Sequence, residues 1–355
     1  MMVLVGNMRT VSLSTTRFSF RHQRPAADTQ VAESFAQRAK NGSFRSPPSP
    51  LATSLASSRG KRIAGWAGRC GNIGKNHYIG EKSSAMSIKS MPVWKWFLLF
   101  LASFIIAFFL YGLSDEAVRL IPIGWIRWIG CVAAAAWIPA LYSVFVKWIE
   151  KSPAKDVPRR KSLIDTAKGF GIGTLFFVLV VGIMMMIGVY SILNIGTDRT
   201  FLIVDSFFLF LIVAVGEELM FRGVIFRWID EKWGFAAALI VSSLFFGAVH
   251  YPQGTWWSSV AIAIEAGLLL GAAYKWSGTL WFPIGIHWAW NFFQGNIFGF
   301  AVSGGGVDAS LIHASINCPD ILTGGFFGAE ASIIAVVIGA AMSAYFIYRS
   351  VTTPS

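Results

Sequence analysis

The sequence predicts an all-α polytopic membrane helical bundle with about eight transmembrane helices. Three observations carry this. Of 355 residues, 55% are hydrophobic and only 14% are charged, against roughly a quarter charged in soluble domains. Mean hydropathy is +0.58, and several apolar runs approach or exceed the ~20 residues that cross a bilayer. The 15 Trp suit the aromatic belts at the two membrane surfaces.

Residues 1–85 stand apart. They are rich in Ser, Arg and Gly, contain "SPPSP" at 46–50, and lack sustained apolar periodicity, so they read as a disordered basic extension. They hold 13 Lys and Arg against 3 Asp and Glu, which leaves 17 against 15 for the remainder. The extension thus carries +10 of the net charge of +12, and the excess gives no argument for nucleic-acid binding. Met86 opens "MSIKSMPVWKWFLLFLASF", a short basic head followed by a span, as in a bacterial inner-membrane protein. Residues 1–85 are then upstream translation outside the native coding sequence. The alternative is an organelle transit peptide, since the segment is Arg- and Ser-rich and acid-poor. Residues 86–355 form the membrane domain. Cys70, Cys131 and Cys318 show no CxxC spacing and suggest neither a disulfide framework nor a zinc knuckle.

Eight spans follow in order, near 93–113, 124–146, 169–195, 203–227, 235–254, 256–274, 278–299 and 328–348. Lys and Arg in short loops mark the cytoplasmic side. Lys89 and Lys95 flank the first span, and the loop after the second carries Lys147, Lys155, Arg160 and Lys168. Arg227 and Lys232 follow the fourth, Lys275 the sixth and Arg349 the eighth. The opposite loops hold only Arg119, Arg127 and Arg199. Both termini are therefore expected in the cytoplasm. "GFGIG" in the third span offers packing surface and no chemistry. Residues 303–325 read as an outward, flexible polar loop. Trp256 and Trp257 read as an interfacial anchor, and His22 and His313 as loop residues.

Away from the ends of the spans, polar groups fit for chemistry are few: Glu217, Glu218 and Arg222 in the fourth, His250 in the fifth, Glu265 in the sixth, and His287 and Asn291 in the seventh. Ionisable groups there are expensive unless paired or used. Helical rise places Glu217 ~15 Å, His250 ~22 Å, His287 ~14 Å and Asn291 ~20 Å from the cytoplasmic ends of their spans. Glu217, His287 and Asn291 fall in the middle third of a ~30 Å hydrocarbon core, and His250 lies just beyond it. Glu218 and Arg222 are i,i+4 and can pair on one face, which leaves Glu217, about 100° round the helix, to point elsewhere. Phe246 can wall His250 at the same spacing, and His287 shares a face with Asn291. A buried carboxylate assisted by His can take a proton from water. A neighbouring His and Asn can donate to an oxyanion. That is peptide hydrolysis without a covalent intermediate. Glu265 lies outside these pairs and reads as a cavity residue or a paired structural acid.

"EELMFR" (217–222) matches EExxxR, "FGAVH" (246–250) matches FxxxH, and "HWAWN" (287–291) matches HxxxN. In this order on successive spans, the three motifs resemble the CPBP intramembrane proteases. That family includes the eukaryotic CAAX prenyl endopeptidase and bacterial bacteriocin-processing and self-immunity proteins. The resemblance implies an intramembrane endopeptidase with Glu217 as general base, His250 as its partner, and His287 and Asn291 as the oxyanion hole. Glu218, Arg222 and Phe246 are implied as supporting residues. No metal is favoured. Because the family is also described as metal-dependent, Glu217, His250 and His287 remain an alternative zinc ligand set with one water position. The expected partners are membrane lipids and a peptide or membrane-protein substrate, with oligomeric state left open. Two other functions compete: a non-catalytic immunity or scaffold protein, and a proton-coupled transporter. The transporter suffers because the polar groups cluster at one depth, and no paired broken helices are visible.

Overall fold

The computed structural model describes residues 88–352, apart from 151, 152, 159, 161, 197, 198 and 318. The expectation for 1–85 therefore lies outside the described residues. The fold is all-α and polytopic, and among the described residues 7 helices are long and apolar enough to cross a membrane. With one shorter helix among them, the eight in order are α1 (Val93–Arg119), α2 (Gly124–Glu150), α3 (Ser162–Met186), α4 (Thr200–Trp233), α5 (Phe235–His250), α6 (Trp256–Ser277), α7 (Trp281–Phe292) and α8 (Ile333–Thr352). The short one is α7. It runs on through a π-helical turn, Phe293–Ile297, and is buried along most of its length. The sequence predicts a full span at 278–299. A helix enclosed by protein needs no bilayer-length apolar surface, because its neighbours replace lipid.

The outer helices face hydrocarbon. Trp94, Phe97, Leu98 and Phe109 of α1, with Ile129 and Val144 of α2, are exposed. An apolar surface of that extent marks contact with lipid. This is an integral membrane protein. Toward the centre, α7 lies against α3 at backbone distance. A Cβ on Gly169 would sit 2.1 Å from the Phe282 carbonyl oxygen, one on Gly173 2.4 Å from that of Ile286, and one on Gly285 2.1 Å from that of Thr166. Small residues four apart let helices approach this closely in membranes. The "GFGIG" run thus clamps α7.

The third predicted span ends early. Gly188, at φ +76°, stops the chain from continuing as helix. Tyr190–Ile195 then forms β1, antiparallel to β2 (Ile312–Ile316), with Tyr190 opposite Ile316 and Ile195 opposite Ile312. The polar loop expected at 303–325 therefore contains a strand, and His313 lies on it. The segment after α7 is tied down further. Tyr190 Oη donates to the Phe298 carbonyl at 2.8 Å, and Asn296 Nδ2 to that of Ala309 at 2.7 Å. Trp257 Nε1 donates to the Ala331 carbonyl at 2.9 Å. Trp256 is the exposed ring, so only it has the surroundings expected of an interfacial anchor.

Two long helices change register partway along. α4 is π-helical over Leu219–Phe226 and α6 over Ala263–Leu268. A π segment widens the turn and frees carbonyls from the usual ladder, and such segments gather at functional sites. In α4 the Gly223 carbonyl accepts from Tyr142 Oη of α2 at 2.6 Å and from Arg227 Nε at 3.0 Å.

Candidate active site

Glu217 and Glu218 are the last two residues before the π segment of α4. Both are buried, and Glu218 is 0% exposed. Arg222 Nη1 donates to Glu218 Oε1 at 2.7 Å, the pair read from i,i+4 spacing. Its Nη2 reaches the carbonyls of Ala266 at 3.2 Å and Gly267 at 3.3 Å, both inside the π segment of α6. Its guanidinium lies 4.7 Å from the centre of the Phe246 ring on α5. One cation thus joins α4, α5 and α6, and the planar fork of Arg suits several acceptors at once.

His287 of α7 approaches both glutamates. Its Nδ1 is 2.9 Å from Glu218 Oε1, and its Nε2 is 3.9 Å from Glu217 Oε2. An ionised carboxylate only accepts, so Nδ1–H donates to Glu218 and the ring is oriented by it. The motif pattern pairs Glu218 with Arg222 alone. The structure adds His287 as a second partner.

His250 closes α5. Its Nδ1 is 2.7 Å from the Phe246 carbonyl, a fixed acceptor, so Nδ1–H donates there and Nε2 keeps its lone pair. The Phe246 ring packs 4.8 Å from the His250 ring and 6.3 Å from His287, which makes it the wall expected from its spacing. Asn291 sits one turn beyond His287 and is buried.

A cavity of about 10 Å³ lies between these helices, lined by His250, His287, Asn291, Phe246, Ser303 and Glu330 among others. That is room for about one water, and its wall holds the two to four polar partners a buried water needs. Glu217 is not among the described residues that line it. Its Oε2 lies 3.9 Å from His287 Nε2. Of the seven site residues predicted, His250, His287, Asn291 and Phe246 line the cavity, Glu217 and Glu218 approach His287, and Arg222 pairs with Glu218.

Glu265 matches neither expectation. It is fully buried, neither carboxylate oxygen has a hydrogen-bond partner among the described residues, and it is not among the residues lining the cavity. Gly339 of α8 packs against it, where a Cβ would stand 2.7 Å from the Glu265 Cβ. Two residues were missed outright, Ser303 and Glu330. The available signal was an acid, Glu330, at the head of the last apolar run.

Residues 199–293 match the family described as type II CAAX prenyl endopeptidase Rce1-like. Over these residues the chain is similar to an Rce1-like domain. The matched segment runs from the head of α4 past Asn291, so the Rce1-like domain holds all three motifs, while α1–α3, the β pair and Glu330 lie outside it. No curated protein and no solved structure matches the chain. At family level the Rce1-like match supports an intramembrane protease of the CAAX type.

Proposed function

We propose that the protein is an intramembrane endopeptidase that hydrolyses a peptide bond with water activated by Glu217 and histidine. The observation that carries this is His287, held by Glu218 through Nδ1 while Nε2 faces Glu217, beside a cavity the size of one water. In this reading a water held by His250 Nε2 attacks the scissile carbonyl carbon. Its proton passes to Glu217, and from Glu217 to the leaving amine as the C–N bond breaks. The Asn291 amide donates to the oxyanion, the kind of fixed donor that stabilises such a transition state strongly. Glu218, Arg222 and Phe246 hold the histidines in place.

The reaction is read as metal-free. A carboxylate behind Nδ1 is also how metal-bound imidazoles are oriented, which keeps zinc on Glu217, His250 and His287 as the second reading. Among the described residues, however, no three His, Cys, Asp or Glu side chains gather closely enough to hold a metal ion, and Asn291 suits an oxyanion hole better than a zinc site. The substrate is read as a peptide or membrane protein presented from the lipid. The setting is read as a bacterial inner membrane with both termini cytoplasmic, or an organelle membrane if 1–85 is a transit peptide. An immunity or scaffold protein has no use for a polar cavity with two oriented imidazoles, and a transporter needs a polar path between the two faces.

The test is proteolysis in detergent of a peptide panel by wild type and Glu217→Ala. The panel comprises a farnesylated CaaX-type peptide, a leader peptide and an apolar transmembrane peptide. Cleavage by wild type alone is expected. Equal cleavage by both, or none by either, ends the enzyme reading.

A further inference from the structure

Glu330 stands far from the three motifs in sequence and touches their cavity in space. It lies in a single turn, Ala329–Ala331, just ahead of α8, and is 1% exposed. Both carboxylate oxygens are engaged. Oε2 accepts from Trp290 Nε1 at 3.1 Å. Oε1 accepts from the Ser303 backbone N–H and from Ser303 Oγ at 3.0 Å. Each partner is itself unusual. Trp290 directly precedes Asn291, and its ring is stacked 4.4 Å from Phe176 and set edge-on to Phe177. Ser303 is the one non-glycine among the described residues with positive φ, at 50°, a conformation costly for a residue with a Cβ. Such strain persists where surrounding contacts over-determine it, and three donors converging on one buried carboxylate do so here.

We propose that Glu330 is a positioning residue of the hydrolytic site. It clamps Trp290 on α7 and the strained turn at Ser303, and so fixes two walls of the water-sized cavity and the placement of Asn291. The inference rests on the endopeptidase reading and extends it to a residue outside the matched segment. No proton transfer by Glu330 is required. Its role is geometric, through oxygens that accept from two elements at once. A Gln in its place keeps the shape but has one accepting oxygen, so it can satisfy only one of the two elements.

The test uses the full-length protein in detergent, with whichever peptide of the panel above wild type cuts. Glu330→Gln is expected to lower kcat by about 10- to 100-fold, the scale of a small misplacement at a site, with KM changed less than about twofold. Adding Ser303→Gly removes the φ penalty, so the turn needs less holding. It is expected to restore part of the lost kcat to Glu330→Gln and none to Glu217→Gln. Hydrogen exchange should rise in the peptide spanning 298–306 and stay unchanged in α4. An unchanged kcat in Glu330→Gln beside an inactive Glu217→Gln overturns the inference alone. So does a kcat loss that tracks a fall in Tm and is not rescued by Ser303→Gly. Full activity in Glu217→Gln overturns the endopeptidase reading and the inference with it.

Discussion

His287 donates through Nδ1 to Glu218 at 2.9 Å, so the second glutamate of the motif holds the histidine that faces the first. The adjacent acids have separate tasks. Glu217→Gln removes the proton acceptor and is expected to lower kcat by ~10²–10⁴-fold, the usual contribution of a general base, with little change in Tm. Glu218→Gln leaves Arg222 buried without its counter-charge, at a cost of about 3–5 kcal/mol, and loosens His287. Partial loss of activity with a clear fall in Tm is expected. Steady-state kinetics and detergent thermal unfolding of both variants distinguish the roles, and the reverse ranking exchanges them.

Arg222 is expected to resist conservative replacement. Its two terminal nitrogens serve Glu218, Ala266 and Gly267, and a lysine ammonium has neither the span nor the planar fork. Arg222→Lys should keep the charge yet lower Tm and activity together. A variant as stable as wild type would mean that the link between the two π segments contributes little.

Asn291→Ala tests the oxyanion assignment. Loss of one such donor costs ~10²–10³-fold in kcat, with KM nearly unchanged because the substrate carbonyl gains its charge only in the transition state. A rise in KM at constant kcat would make Asn291 a substrate-binding residue.

The glycine clamp offers a test remote from the chemistry. Gly285→Ala introduces a methyl 2.1 Å from the Thr166 carbonyl oxygen, backbone that cannot rotate away. Overpacking costs about 1–3 kcal/mol. Because α7 carries His287 and Asn291, activity should fall beyond what the unfolded fraction explains. Wild-type kcat per folded molecule would show that α7 tolerates displacement.

The cofactor reading is checked by chelation. Activity of the purified protein should survive incubation with a strong zinc chelator, and metal analysis should find well under one equivalent. Loss on stripping with recovery on adding zinc would assign Glu217, His250 and His287 as ligands.

What could be read from the sequence follows a physical division. Spans were legible because hydrocarbon demands long apolar runs, and the Glu218–Arg222 pair because four residues make about one helical turn. The meeting of His250, His287 and Asn291 was legible only as compatible depth. Which ring nitrogen each histidine offers was not, since that depends on acceptors such as the Phe246 carbonyl and Glu218. The β1–β2 pair escaped because Tyr190–Ile195 is apolar enough to pass for the tail of a span. Glu330 escaped because its partners, Trp290 and Ser303, are 40 and 27 residues away, and nothing local marks such a clamp.

The π segment at Leu219–Phe226 bears on how this chain should be compared with others. A π turn acts as a single-residue insertion into an otherwise regular helix. Everything beyond it is turned about 100° from where an uninterrupted α-helix would carry it. A gapless alignment of α4 with a helix lacking the insertion would match residues correctly through Glu218 and assign the wrong face from Arg227 onward. Allowing one unmatched position there restores the phase, and deleting one residue there should rotate one end of α4 against the other while leaving its length in the membrane almost unchanged.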